Sequence, residues 1–140
     1  MRTAKEIEEA NEYYGGYQGL YNEFGTVVLE IDTGSYQGDT RVLFHNEDGK
    51  VGYLLFGWGS CSGCDAYEAC NTTEDYQELM DRLYDSVHWF DTVEEALTYF
   101  ENHDWEGDFD WYNEERKEFL DGAMEYLNKQ IKNKETDDNL

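Results

Sequence analysis

The chain has 140 residues, with 33 Asp and Glu against 10 Lys and Arg, a net charge of −23. That length fits one ordinary domain, and a surface of this sign repels nucleic acid and anionic lipid while drawing in basic proteins. The 12 tyrosines, 7 phenylalanines and 4 tryptophans supply material for a core, which excludes a disordered acidic chain.

Taken in order, Thr3 and Glu6 have capping-box spacing, and Ala4, Ile7, Ala10 and Tyr14 mark a helical stripe ended by Gly15-Gly16. The stretch "YQGLYNEFG" fits neither period. "TVVLEID" alternates and predicts a strand, with Val27, Leu29 and Ile31 on one face and Val28, Glu30 and Asp32 on the other. "TRVLFH" predicts a second strand, Asp48-Gly49 a turn, and "VGYLLFGW" a third strand, apolar on both faces and so central in its sheet. "TTEDYQELMDRLYDSV" places Tyr76, Leu79, Met80, Leu83 and Tyr84 on one helical stripe. "SVHWF" suits a short strand. Thr92 and Glu95 open a helix with stripe Val93, Ala96, Leu97 and Phe100. A last helix is expected from about Asn113 to Lys132, with Phe119, Leu120, Ala123, Tyr126, Leu127 and Ile131 inward, followed by a polar tail over 133–140. Strands before helices predict a single α+β domain over 1–132, with an antiparallel sheet of three to five strands and three to four amphipathic helices on one side. No segment has the form of a signal peptide or a membrane span.

The stretch "FGWGSCSGCDAYEAC" raises the question of chemistry. Cys61 and Cys64 form a CxxC behind a strand, with Trp58 upstream, as in thioredoxin; the absence of any proline and of a preceding βαβ unit argues against that fold. Cys61, Cys64 and Cys70 with His88 or His45 would make a Cys₃His zinc site. Gly59-Ser60-Cys61-Ser62-Gly63 has nucleophile-elbow spacing in a chain too short for that fold. The fourth reading is a tight small-residue turn with Asp65 capping the next helix. Asp104, Glu106, Asp108, Asp110 and Glu115 follow the EF-hand count, but Phe109 stands where the loop needs glycine. His45, His88 and His103 are isolated, and no Walker, Rossmann or zincin motif is present. No cofactor is expected, with zinc as the alternative.

The acids cluster. Glu74, Glu78 and Asp81 form one helical ladder, and Glu114, Glu118, Asp121 and Glu125 another; Glu94, Glu95 and Glu115 add to the same region. Neighbours three or four apart lie about 5–6 Å from each other, and such like-charge pairs cost about 0.2–0.5 kcal/mol each. Duplex DNA carries one charge per ~1.7 Å of axis, so 23 charges match about 39 Å of duplex. A compact chain of this length is itself about 35–40 Å across.

"GSCSGCD" with its following acidic helix, and "WEGDFDWYNEERKEFLDGAMEYL", resemble a group of small uncharacterised bacteriophage proteins, from about Gly25 onward. That resemblance implies the cytoplasm of an infected bacterium. In size and charge the chain is also similar to phage antirestriction DNA mimics and anti-CRISPR proteins. The expectation is a non-enzymatic inhibitor on a basic nucleic-acid-binding surface of a host nuclease, a CRISPR effector or a DNA-processing protein. The alternatives are a Cys-centred zinc or thiol protein and an acidic phage assembly module.

Overall fold

The computed structural model describes residues 1–10, 16–34, 38–59, 65–103 and 113–138, leaving aside the side chains at 113, 115 and 136–138. The elements in chain order are α1 (Ala4–Glu9), α2 (Tyr17–Tyr21), β1 (Val27–Asp32), β2 (Gly38–His45), β3 (Val51–Trp58), α3 (Thr73–Asp85), β4 (His88–Phe90), α4 (Val93–Asn102) and α5 (Asn113–Asp138). The strands form one antiparallel sheet in the order β1-β2-β3-β4. The fold is α+β in one domain.

Helices cover both faces of the sheet, where one-sided cover was expected. The cause lies in β2 and β3, which bury apolar side chains on both sides of the sheet. Val42, Phe44 and Leu54 face Leu20, Leu79, Met80 and Leu83 of α2 and α3 and Ile7 of α1. Leu43, Val51 and Tyr53 face Ala96 and Phe100 of α4 and Phe119, Ala123 and Leu127 of α5. A sheet buried on both sides needs a helical layer on each. As expected, β3 is an inner strand, between β2 and β4. The fifth helix among the described residues is α2, from the stretch with no clear period. Its helicity follows from burying Leu20 and Tyr21, a tertiary gain that overrides weak local propensity.

The alternation expected for β1 is broken. Its register against β2 shifts between Val27 and Leu29. Val27 therefore joins the α1–α3 side, while Val28, Leu29 and Ile31 all pack on the α4–α5 side. A bulge of this kind re-aims the residues beyond it. Glu30 and Asp32 pair with Val42 and Thr40, which puts them on the α1–α3 side.

The helix starts are set by side-chain caps. Thr72 Oγ1 accepts from the Asp75 N–H at 3.1 Å and Asp75 Oδ2 accepts from the Thr72 N–H at 3.2 Å, a complete capping box. Thr92 and Thr3 accept from Glu95 and Glu6 in the same way, each at 3.1 Å. Gly49, with φ 88°, makes the β2–β3 turn. α1 stops at Glu9, with Ala10 exposed as its C-cap, and Tyr14 lies outside the described residues. α5 runs on to Asp138, through most of the stretch expected to be a tail, because 133–138 contains no glycine or proline to stop it. A Cβ at Gly122 would stand 3.1 Å from Leu29 Cδ2, so glycine there lets α5 lie close on β1.

Candidate interaction surfaces

The acidic ladders sit on helices whose opposite stripes are buried. On α3, Leu79, Met80 and Leu83 turn inward and Glu74, Glu78 and Asp81 are exposed. On α5, Phe119, Leu120, Ala123 and Leu127 are buried, leaving Glu114, Glu118, Asp121 and Glu125 exposed. Glu94 and Glu95 are exposed in the first turn of α4. The structure does not bring these groups into one stripe. α3 lies on one side of the sheet and α4 with α5 on the other. Lys134 Nζ stands 3.6 Å from Glu94 Oε1, so α4 begins beside the end of α5. Glu94 is therefore about 30 Å along the α5 axis from Glu114, at 1.5 Å per residue. Asp104, Glu106, Asp108 and Asp110, and the side chain of Glu115, lie outside the described residues, and with them the calcium reading.

Cys61 and Cys64 are outside the described residues too, but Asp65 beside them is described. Asp65, only 6% exposed, accepts four hydrogen bonds. Oδ2 takes the Gly59 N–H at 2.6 Å, and Oδ1 takes the Tyr17 hydroxyl at 2.8 Å and the Tyr67 and Glu68 N–H groups at 2.8 and 3.0 Å. Burial pushes this carboxyl up, but the donors together outweigh burial and hold it below the usual carboxylate range. The expected capping role is met in a reduced form: Asp65 caps a single turn, not a regular helix.

The zinc set is divided. Cys70 is half-buried against the α1–α3 core, its Sγ donating to the Ala66 carbonyl at 3.3 Å. Burial and then the Asp75 carboxylate push its thiol up, away from a reactive thiolate. His88 stacks on Phe90 at 4.3 Å and meets Tyr99 edge-on at 4.7 Å, on the α4–α5 side. Cys70 and His88 thus flank opposite faces of the sheet. His45 Nδ1 hydrogen-bonds the Tyr126 hydroxyl at 2.6 Å, and the His103 ring stacks on Tyr99. Among the described residues no group of three or more His, Cys, Asp or Glu is placed to hold a metal.

One feature was not anticipated from the sequence. On the α1–α3 side the described helices leave part of the sheet open. A cavity of about 230 Å³ opens there, lined by Tyr17, Gln18 and Tyr21 of α2, Glu30 and Asp32 of β1, Thr40 of β2, and Phe56 and Trp58 of β3. The Tyr17 and Phe56 rings stand 4.6 Å apart and the Tyr21 and Phe56 rings 5.9 Å. Tyr21 donates its hydroxyl to Glu30, and Thr40 donates to Asp32. The period-two pairs Glu30/Asp32 and Phe56/Trp58 carried this signal. Their convergence depends on the β1 bulge and on α2, neither of which is visible locally.

No helix among the described residues is long and apolar enough to cross a membrane. The chain matches no family model, no curated protein and no solved structure.

Proposed function

We propose that this protein is a non-enzymatic inhibitor whose exposed carboxylates occupy a basic nucleic-acid-binding surface of a host nuclease, CRISPR effector or DNA-processing protein. The observation that carries this reading is the α5 ladder, Glu114, Glu118, Asp121 and Glu125, exposed on a helix whose other face is locked into the core. It presents one carboxylate per ~5–6 Å of a rigid axis, against one phosphate per ~3.4 Å along a nucleic-acid strand. Rigid like charges are held in place by core packing, so little ordering remains to be done on binding. Occupancy of a Lys and Arg groove would be steeply salt-dependent. The α3 ladder is on the other side of the sheet, so it serves a second contact and not the same groove.

The test is capture from bacterial lysate at low and high salt by wild type, by an α5 variant (E118Q/D121N/E125Q) and by an α3 variant (E74Q/E78Q/D81N). Retention of a nucleic-acid-binding protein at low salt, lost at high salt and in the α5 variant, is the expected result. Retention that ignores both salt and the α5 substitutions sinks the proposal. Elemental analysis of the purified protein tests the Cys-centred alternative directly.

A further inference from the structure

We propose that the cavity between α2 and strands β1, β2 and β3 is a receptor for an arginine side chain on the partner's basic surface. This inference rests on the reading of the partner as a basic protein. At about 230 Å³ the cavity falls below the ~300–1,000 Å³ of small-molecule sites. It suits the head of one side chain and not a cofactor.

Its walls match a guanidinium in three respects. Four aromatic residues, Tyr17, Tyr21, Phe56 and Trp58, line it, and a cation within about 6 Å of a ring centroid is drawn to the negative face. Glu30 and Asp32 supply two negative charges, with no Lys or Arg among the lining residues to cancel them. Each carboxylate has one oxygen engaged by a wall hydroxyl, from Tyr21 and from Thr40. The other oxygen of each accepts no hydrogen bond among the described residues and remains for an incoming N–H fork. Arginine fits this combination better than lysine, because its planar, weakly hydrated head both stacks on rings and donates from several nitrogens.

The receptor is also built before any ligand arrives. Tyr21 is buried, and Tyr17 is tied through its hydroxyl to Asp65. Thr40 lies between Asp32 and Phe56 in paired register, and Trp58 is two residues beyond Phe56 on the same strand. A site held on strands and an anchored helix loses little freedom on binding.

The experiment titrates the full-length ¹⁵N-labelled protein with N-acetyl-Gly-Arg-Gly-amide and with its lysine counterpart. Saturable shifts confined to the cavity residues, with arginine bound at least about fivefold tighter than lysine, are expected. E30Q/D32N should weaken the arginine peptide by about tenfold, and W58A by about fivefold, with circular dichroism confirming both folds. Should E30Q/D32N fail to fold, W58A decides. The α5 variant (E118Q/D121N/E125Q) should bind the peptide as wild type does. Shifts scattered over the acidic helices, equal affinity for lysine, or undiminished binding by W58A overturns the proposal. Lysate capture separates the two readings. Capture lost in the α5 variant but unchanged in W58A removes the cavity from the interface and leaves the inhibitor reading standing. Absence of any salt-sensitive capture overturns that reading, and with it the cavity's role in a basic partner's interface.

Discussion

Three main-chain N–H groups and one phenol converge on the Asp65 carboxylate, closing the chain around the CxxC segment. Removing the carboxylate strands those donors in a buried place, so Asp65→Ala should cost about 2–4 kcal/mol, read as a lower urea midpoint. The pH dependence has a definite sign. The folded carboxyl is held below its ordinary value, so its contribution is complete above the unfolded value, about 3.9, and fades as pH falls through the folded one. The stability difference between wild type and Asp65→Asn should therefore be constant from neutral pH to about pH 5 and shrink below about pH 4. Tyr17 shifts the opposite way. Burial first, and then the Asp65 hydrogen bond and charge, push its hydroxyl up to about 12, against the opposing Tyr67 N–H. Tyr21 is raised further, by burial and then by Glu30. Stability from these phenols is complete below about pH 10 and declines as pH rises toward the folded values. Absorbance titration should show both ionising only at or after alkaline unfolding, and Tyr17→Phe should remove one such late step. Asp65 was legible as a cap from its place before the turn. Its partner Tyr17, 48 residues away, was not, because nothing local links a phenol to a distant carboxylate.

At the scale of the element, the stripe of α3 and the cap and stripe of α4 were readable because both signals are local, while the Thr72 cap of α3 emerged only with the structure. Thr72 and Asp75 complete their box, and Thr72→Ala should lower stability by about 1 kcal/mol in denaturant melts. β1 was only partly readable. Its bulge depends on how β2 pairs with it, and a period-two count cannot detect an extra residue in one strand. The contact of α5 with β1 shows the same limit: Gly122 looks like a weak point in a helix, yet it is where Leu29 approaches. Gly122→Val should cost about 1–3 kcal/mol by forcing the two apart, although valine has the better helix propensity. Denaturation midpoints of this variant decide between packing and propensity. The Lys134–Glu94 pair, with side chains 67% and 48% exposed, should contribute less than about 1 kcal/mol and less still in salt.

For the whole molecule, a net charge of −23 opposes compaction by self-repulsion, which salt screens with a Debye length of about 10 Å at 0.1 M. Raising NaCl from about 0.02 to 0.5 M should therefore stabilise the fold by about 1 kcal/mol, or roughly 3–5 °C in Tm. The E118Q/D121N/E125Q variant should melt higher than wild type at low salt, each relieved pair contributing about 0.2–0.5 kcal/mol, while losing its partner. A gain in stability coupled to a loss of binding is what a charged face kept for contact predicts; a variant unchanged in both would show the charge to be neither strained nor used. Charge, the α+β class, the inner position of β3 and the capped starts of α1 and α4 follow from the sequence alone, because composition, periodicity and capping are properties of neighbours along the chain. The division of helices between two faces, the separation of the α3 ladder from α5, the parting of Cys70 from His88 and the meeting of α2 with Glu30, Asp32, Phe56 and Trp58 were decided only by tertiary structure. Each of these depends on which face of the sheet a distant segment chooses to bury, a choice made by packing the whole core at once.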